Sequence, residues 1–180
     1  FFYDLRAVDI DRKRSDVDVA AWMIYLNKTA FNGLYRVNKK NKFNAPFGRY
    51  TNPNICDVHN LRACSTALQN VEIVHAYFDH MRKRVQAKDF VYFDPPYVPI
   101  SVTSSFTSYT HGGFGALEQR ILRDFALELK EKGVHVTLSN SDHPLVRDLY
   151  QGFRVRSIQV GRSINSKASA RGKVGEVLIS

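Results

Sequence analysis

The chain has 180 residues, 44% of them hydrophobic, which is enough for a packed core and excludes a chain that is disordered throughout. No apolar run approaches the roughly 18 residues of a membrane span, and the opening residues lack the pattern of a signal peptide. The formal net charge of +9 favours a polyanionic partner, either nucleic acid or an anionic membrane surface.

Basic residues are concentrated in two stretches that carry no acidic residue, 27–50 and 153–175. Localised positive charge of this kind can contact nucleic-acid phosphates. The alternative is that each stretch is an ordinary solvated surface. Neither Cys56 and Cys64 nor the histidines show a metal-ligand spacing, so we expect reduced thiols and no metal.

The first part of the chain predicts one helix followed by a long loop. Ser15 and Asp16 suit the start of a helix that continues over residues 17–29. Gly33 then breaks the helical pattern, and residues 34–50 keep neither a helical nor a strand period. This pattern indicates an ordered loop or a short hairpin, and loops of this length are usually functional.

The rest of the chain alternates strands and helices. The predicted elements are a helix from Asn54 or Asp57 to about 70, a strand at 71–76, a basic helical turn at 79–87, a strand at 90–93, a helix at 117–132 that Gly133 ends, a strand at 134–138, a helix at 144–150, and strands at 155–160 and 174–179. The apolar face of the 117–132 helix is predicted to hold Leu117, Ile121, Leu122, Phe125 and Leu129. This order predicts half of an α/β sheet that ends in an antiparallel hairpin.

The segment Asp94-Pro95-Pro96-Tyr97 follows the apolar run at 90–93 and has the groups to hold an amine. Proline has no N–H, so the two prolines bring no competing backbone donors. A carboxylate and a proline carbonyl can accept both hydrogens of an exocyclic amine, which aims its lone pair at an electrophile. Tyr97 offers a flat face on which a base can stack. The alternative is an ordinary strand end closed by two prolines, with Tyr97 packing.

Four segments, in the right order, resemble parts of the Dam-type (α motif order) adenine-N6 DNA methyltransferases. They are the target-recognition region at 25–38 and 43–50, motif IV of the amino-methyltransferases at 89–97, the loop after that motif at 104–109, and the tail at 162–166 and 175–178. The resemblance implies a partial Rossmann-like methyltransferase sheet at 57–180. It also implies a mostly helical DNA-recognition module at 1–56, in a nucleoid-associated protein of the cytoplasm.

The resemblance further implies methyl transfer from S-adenosylmethionine to N6 of an adenine flipped out of double-stranded DNA, with G-A-T-C as the expected target. Asp94, Pro95, Pro96 and Tyr97 would form the catalytic site. Cofactor binding falls to Asp94, Asp79 and Phe78, although Asp79 suits a helix N-cap equally well. DNA contacts are expected at Phe31, Asn32, Leu34, Arg36, Asn38, Lys39, Pro46 and Arg49. Arg36 is favoured as a base reader over a phosphate clamp.

Two elements of the family pattern are missing, and they concern the cofactor. No glycine-rich cofactor loop and no acidic strand end for the ribose precede the matched segments, and the chain opens on Phe1. We therefore expect a fragment, or a chain completed by an N-terminal segment or partner, that by itself binds S-adenosylmethionine weakly or not at all. The alternatives are a DNA-binding fragment without catalysis and, less favoured, an amino-methyltransferase of RNA or of protein glutamine. Residues 139–142 suit either a pocket wall or a helix-capping loop.

Overall fold

The computed structural model describes residues 1–10, 14–99, 114–161 and 173–180. The chain divides into two compact units, Phe1–Val74 and His75–Ser180. The boundary that the sequence predicts between residues 56 and 57, where a helix and a basic loop give way to alternating strands and helices, stays a prediction. The helix that follows this boundary belongs to the first compact unit. The segments 104–109 and 162–166, which carry part of the family resemblance, lie outside the described residues.

The described residues of the first unit form helices α1 (Phe2–Ala7), α2 (Asp16–Thr29) and α3 (Val58–Ala67), with a 3-10 turn at Phe31–Gly33. Helix α2 confirms the predicted element. The Ser15 side chain caps it by accepting a 3.2 Å hydrogen bond from the Asp18 N–H. A small core forms where α1 and α2 meet the loop that follows, and its buried members are Phe2, Leu26, Ala30, Phe43 and Ala45.

Of the two expected forms, an ordered loop or a short hairpin, the stretch after α2 is a loop with isolated bridges, and backbone hydrogen bonds join it to the end of that helix. Isolated antiparallel bridges join Ala30 to Phe47 and Val37 to Phe43. The Phe31 N–H donates to the Pro46 carbonyl and the Gly48 N–H donates to the Thr29 carbonyl, both at 2.8 Å. Residues 43–48 therefore return to the point where the loop began.

The second unit is built on a four-stranded mixed sheet with the order β1-β2-β4-β3. Its strands are β1 (Phe90–Phe93), β2 (His135–Ser141), β3 (Val155–Gly161) and β4 (Lys173–Ile179). Strands β1 and β2 are parallel, whereas β4 lies antiparallel between β2 and β3. The predicted α/β class is thus confirmed, with a small mixed sheet, and the predicted antiparallel pair at the end of the chain is formed by β3 and β4.

Helix α4 (Ala116–Glu131) connects β1 to β2 and packs on the sheet, and α5 (Pro144–Leu149) connects β2 to β3. Gly133 ends α4 with a φ of 81°, a conformation that favours glycine. The buried face of α4 comprises Gln119, Leu122, Phe125, Ala126 and Leu129. The prediction was wrong for Leu117 and Ile121, which are 62% and 42% exposed. The apolar stripe of α4 is narrower than its composition suggests.

The predicted strand at residues 71–76 is also wrong. This segment forms no helix or strand and is exposed along its length, and Ile73 is 77% exposed. A strand needs a neighbour to accept its backbone hydrogen bonds, and no strand among the described residues pairs with this segment. The basic turn that follows is a 3-10 helix at Phe78–Lys83. Within the described ranges, no helix has the length and apolar character that crossing a membrane requires.

Candidate active site

Asp94 lies at the carboxyl end of β1, beside the end of β2. The parallel register pairs Phe93 with Leu138. The residues that follow these two along the chain, Asp94 and Ser139, are therefore neighbours. The Ser139 hydroxyl donates a 2.8 Å hydrogen bond to Asp94 Oδ1. Ser139 is buried while Asp94 is exposed, so a rigid donor orients a carboxylate that remains accessible. Ligands of open α/β sheets bind at this edge.

The loop after Asp94 is held by three buried or nearly buried polar side chains. Gln119 Nε2 of α4 donates to the Pro96 carbonyl at 2.8 Å. Asn140 Oδ1 accepts the Val98 N–H at 3.0 Å, and the Ser141 hydroxyl donates to the Val98 carbonyl at 2.6 Å. The path of the chain through Pro96 and Val98 is therefore fixed by the sheet and by α4 together.

Tyr97 is half-buried between these contacts. Its hydroxyl donates to Glu176 Oε2 of β4 across 3.4 Å. The pKa of Tyr97 is raised, chiefly by burial and then by the negative charges of Glu176 and Asp94, while the Ser139 hydroxyl acts in the opposite direction. Tyr97 is therefore a neutral phenol across the ordinary pH range, which suits an aromatic platform.

Phe78 and Asp79 occupy different surroundings although they are adjacent. Phe78 packs against the core between α4 and the sheet, with its ring centroid 5.9 Å from that of Phe125 and 6.4 Å from that of Phe93. Asp79 is exposed in the first turn of the 3-10 helix, whose N-cap position is Tyr77. The N-cap alternative for Asp79 therefore does not hold. The pKa of Tyr77 is raised first by burial and then by the negative charges of Glu118 and Asp79. Acidic side chains therefore lie near Tyr77 as well.

A cavity of about 420 Å³ lies beside the loop, on the side where Gln119 enters. Val98 and Pro99 line it from the loop, Gln119 and Arg120 from α4, and Leu145 and Leu149 from α5. Asp94 and Tyr97 are not among its lining residues. The cavity therefore does not include the Asp94 carboxylate, which is exposed to solvent.

Ser139, Asn140 and Ser141 hydrogen-bond to Asp94 or to the loop after it, whereas Asp142 contacts a different part of the unit. Asp142 pairs with Arg147 through hydrogen bonds of 2.7 and 2.9 Å. The Arg147 contact holds the pKa of Asp142 below its usual range, against an opposing effect of burial and with help from Ser157. The helix-capping alternative fails because His143 caps α5. Sequence reasoning did not assign a role to Gln119, since a glutamine in an amphipathic helix carries no local signal of what it contacts.

The residues expected to contact DNA lie on the loop after α2, and most of them are exposed. Phe31, Arg36, Asn38, Lys39, Pro46 and Arg49 are exposed, whereas Asn32 and Leu34 are half-buried. Asn32 and Arg49 have positive φ angles of 53° and 55°, which are uncommon for residues other than glycine.

Arg36 already has a partner within the loop. Its Nε donates to Asn44 Oδ1 at 2.8 Å and its Nη2 donates to the Asn44 carbonyl at 2.9 Å. Asn38 accepts the N–H groups of Lys40 and Lys42 and so shapes the tip of the loop. Lys42 also forms an ion pair with Asp9. The loop thus presents its cations from a framework of internal hydrogen bonds.

The structure thus places a carboxylate, two prolines and a tyrosine at the end of a strand in one unit, and a basic loop in the other unit. Residues 1–164 match the family model of the D12 class N6 adenine-specific DNA methyltransferases, and the chain belongs to that family.

Individual relatives agree with this assignment. The chain is 46% identical over 185 residues to the Type II methyltransferase M1.LlaDCHI of Lactococcus lactis subsp. cremoris, covering all of this chain and 65% of that protein. It is 44% identical over 175 residues to the Type II methyltransferase M.MjaIII of Methanocaldococcus jannaschii, covering 95% and 60% of the two chains. It is 34% identical over 177 residues to the DNA adenine methylase of Escherichia coli K12, covering 98% and 63%. The chain therefore spans less than two thirds of the length of these relatives.

Proposed function

We propose that this chain is the DNA-recognition and catalytic part of a DNA methyltransferase that acts on N6 of adenine, with Asp94-Pro95-Pro96-Tyr97 as the methyl-transfer site. The observation that carries the proposal is the placement of Asp94. Its carboxylate is exposed at the end of β1 and oriented by Ser139, in a loop that Gln119, Asn140 and Ser141 hold in place.

The site has the acceptors that an adenine amine requires. An exocyclic amine has two N–H donors, and the Asp94 carboxylate and the Pro95 carbonyl can accept one each. Holding both hydrogens fixes the nitrogen and directs its lone pair toward an electrophile. Tyr97 supplies the face on which the flipped base stacks. Asp94 acts by orientation and charge, and the amine loses its proton once the new N–C bond has formed.

The acidic side chains Asp94 and Glu176 near Tyr97 fit a cationic cofactor. Although the chain has a net charge of +9, Asp94 and Glu176 both contribute negative charge at Tyr97. S-adenosylmethionine, when bound, supplies a methyl group on a positively charged sulfur. Asp94 and the exposed Asp79 would hold the cofactor, and Phe78 would offer only the part of its ring that the core leaves uncovered.

The DNA substrate is proposed from the loop of the first unit. Exposed Arg36, Lys39 and Arg49 provide the positive charge that duplex phosphates and guanine edges attract. Similarity of residues 25–38 and 43–50 to the Dam-type recognition region is the reason for proposing the adenine of G-A-T-C in double-stranded DNA. A further N-terminal segment or chain would supply the remaining part of the cofactor pocket.

The test is methylation of a duplex that contains one G-A-T-C site, with a matched duplex in which the target adenine is replaced. The chain is assayed as printed and within its complete gene product, with S-adenosylmethionine carrying a labelled methyl group. N6-methyladenine in the digested product, only from the first duplex, is the expected result. Label in neither duplex from either protein would overturn the proposal, and DNA binding without label would favour a DNA-binding fragment without catalysis.

A further inference from the structure

We propose that Gln119 and Asn140 are positioning residues that lock the Pro96 carbonyl away from the substrate and so reserve the Pro95 carbonyl for the adenine amine. This inference rests on the proposed function. It concerns two residues outside the Asp94–Tyr97 segment, one on α4 and one on β2.

The orientation of the Asn140 side chain is fixed by the backbone. Asn140 is fully buried, and its Oδ1 accepts the N–H groups of Val98 at 3.0 Å and of Ser141 at 2.9 Å. A backbone N–H can only donate, so the amide oxygen must face these two groups. The amide nitrogen is then turned toward α4, where it donates to Gln119 Oε1 at 3.3 Å.

The orientation of Gln119 follows from that of Asn140. Gln119 is 5% exposed, so water competes little for its amide. Because its oxygen accepts from Asn140, its nitrogen must donate to the remaining partner, the Pro96 carbonyl at 2.8 Å. The hydrogen bonds therefore run in one direction, from the Val98 N–H through Asn140 and Gln119 to the Pro96 carbonyl.

This directed chain distinguishes two consecutive proline carbonyls that are otherwise alike. The Pro96 carbonyl has its donor in Gln119, whereas among the described residues none donates to the Pro95 carbonyl. An amine that enters beside Asp94 thus meets one free proline carbonyl at a fixed place. Without Gln119, the Pro96 carbonyl would lack a donor and could turn toward the same amine or toward water, and the angle of attack would be lost.

The experiment compares steady-state methylation by the full-length protein with that of its Gln119→Met variant, which keeps the side-chain length and removes the donor. We expect kcat to fall by roughly 10- to 100-fold, with KM for DNA changed by no more than about twofold. Asn140→Asp keeps the acceptor for both backbone N–H groups and removes the amide nitrogen. It is expected to lower kcat in the same direction.

Leu129→Met is the matched control, since it introduces the same side chain at another buried position of α4. Thermal melting of each variant shows whether lost activity reflects lost folded protein. Unchanged kcat in Gln119→Met, or a loss no greater than in a control of equal melting temperature, would overturn the inference while leaving the proposed function intact. Failure of the unmodified protein to methylate would instead count against the proposed function.

Discussion

Ser139 Oγ lies 2.8 Å from Asp94 Oδ1, a contact between residues 45 positions apart in the chain. Ser139 is buried and Asp94 is exposed, so the hydroxyl approaches the carboxylate from inside the protein. One carboxylate oxygen is thereby held by the protein, and the other accepts no hydrogen bond from a residue that the structure describes.

Replacing Asp94 by Ala should abolish methyl transfer and leave DNA affinity nearly unchanged. Loss of the acceptor that orients the amine is expected to lower kcat by at least about 10²-fold. Single-turnover methylation and DNA titration measure the two quantities separately. Ser139→Ala, which keeps the carboxylate and removes only its orienting donor, should lower kcat by up to about tenfold. Equal loss of DNA binding in Asp94→Ala would show that Asp94 is structural.

Replacing Arg36 by Ala should relax discrimination at one base of the target by about 1–3 kcal/mol. Competition titrations with duplexes altered at each position of the site measure this directly. Because Arg36 also donates twice to Asn44, an Asn44→Ala variant separates loop support from base reading. A uniform loss of affinity for all sequences would make Arg36 a phosphate contact or a brace of the loop.

Replacing Gly48 by Ala should destabilise the first unit by about 1–3 kcal/mol. A Cβ at this position would lie 2.9 Å from the Ala30 carbonyl oxygen and would also overlap the Tyr50 ring. Urea unfolding followed by fluorescence of Trp22, the single tryptophan of the chain, reports on this unit alone. Gly161→Ala, where a Cβ meets no atom within 4 Å, should leave that transition unchanged. Identical curves for the two variants would contradict the packing argument.

Replacing Tyr150 by Phe should keep or increase stability at neutral pH, because the buried Tyr150 hydroxyl has no hydrogen-bond partner among the described residues. Burial also raises the pKa of Tyr150. As pH rises past the ordinary tyrosine pKa of about 10, the unfolded chain loses this proton before the folded protein does. Stability from the neutral phenol is therefore present below that pH and declines above it.

Urea titrations of the unmodified protein and Tyr150→Phe at pH 8 and in the alkaline range above pH 10 test this argument. The difference in unfolding free energy should shift in favour of the Phe variant as the pH rises. A loss of more than about 1 kcal/mol in the variant at neutral pH would mean that the hydroxyl has a stabilising partner.

The elements that the sequence predicted correctly have strong local signals. Helix α2 has a capping serine before an apolar run, and α4 has a long amphipathic pattern that ends at a glycine. The strand predicted at 71–76 had an apolar run and nothing else. Pairing is a long-range property, so an apolar run alone cannot show whether a partner strand exists.

The site was predictable only where its residues are close together in the sequence. The residues of Asp94-Pro95-Pro96-Tyr97 are adjacent in sequence, and their chemistry could be inferred from their types. Their supports come from distant elements: Gln119 from α4, Asn140 from β2 and Glu176 from β4. The pairing of β2 with β1 and β4 and the packing of α4 on β2 bring these side chains to the motif, and no spacing along the chain encodes these contacts.

Strand β4 lies between β2 and β3, although it follows both along the chain. While the polypeptide leaves the ribosome, β2 therefore keeps an open edge until roughly 30 further residues have been made, which takes a few seconds. Strand β3 waits in the same way, because β4 is its link to the rest of the sheet. Nascent chains are thus exposed to edge-to-edge association during this interval, and slower translation over residues 142–172 would lengthen it.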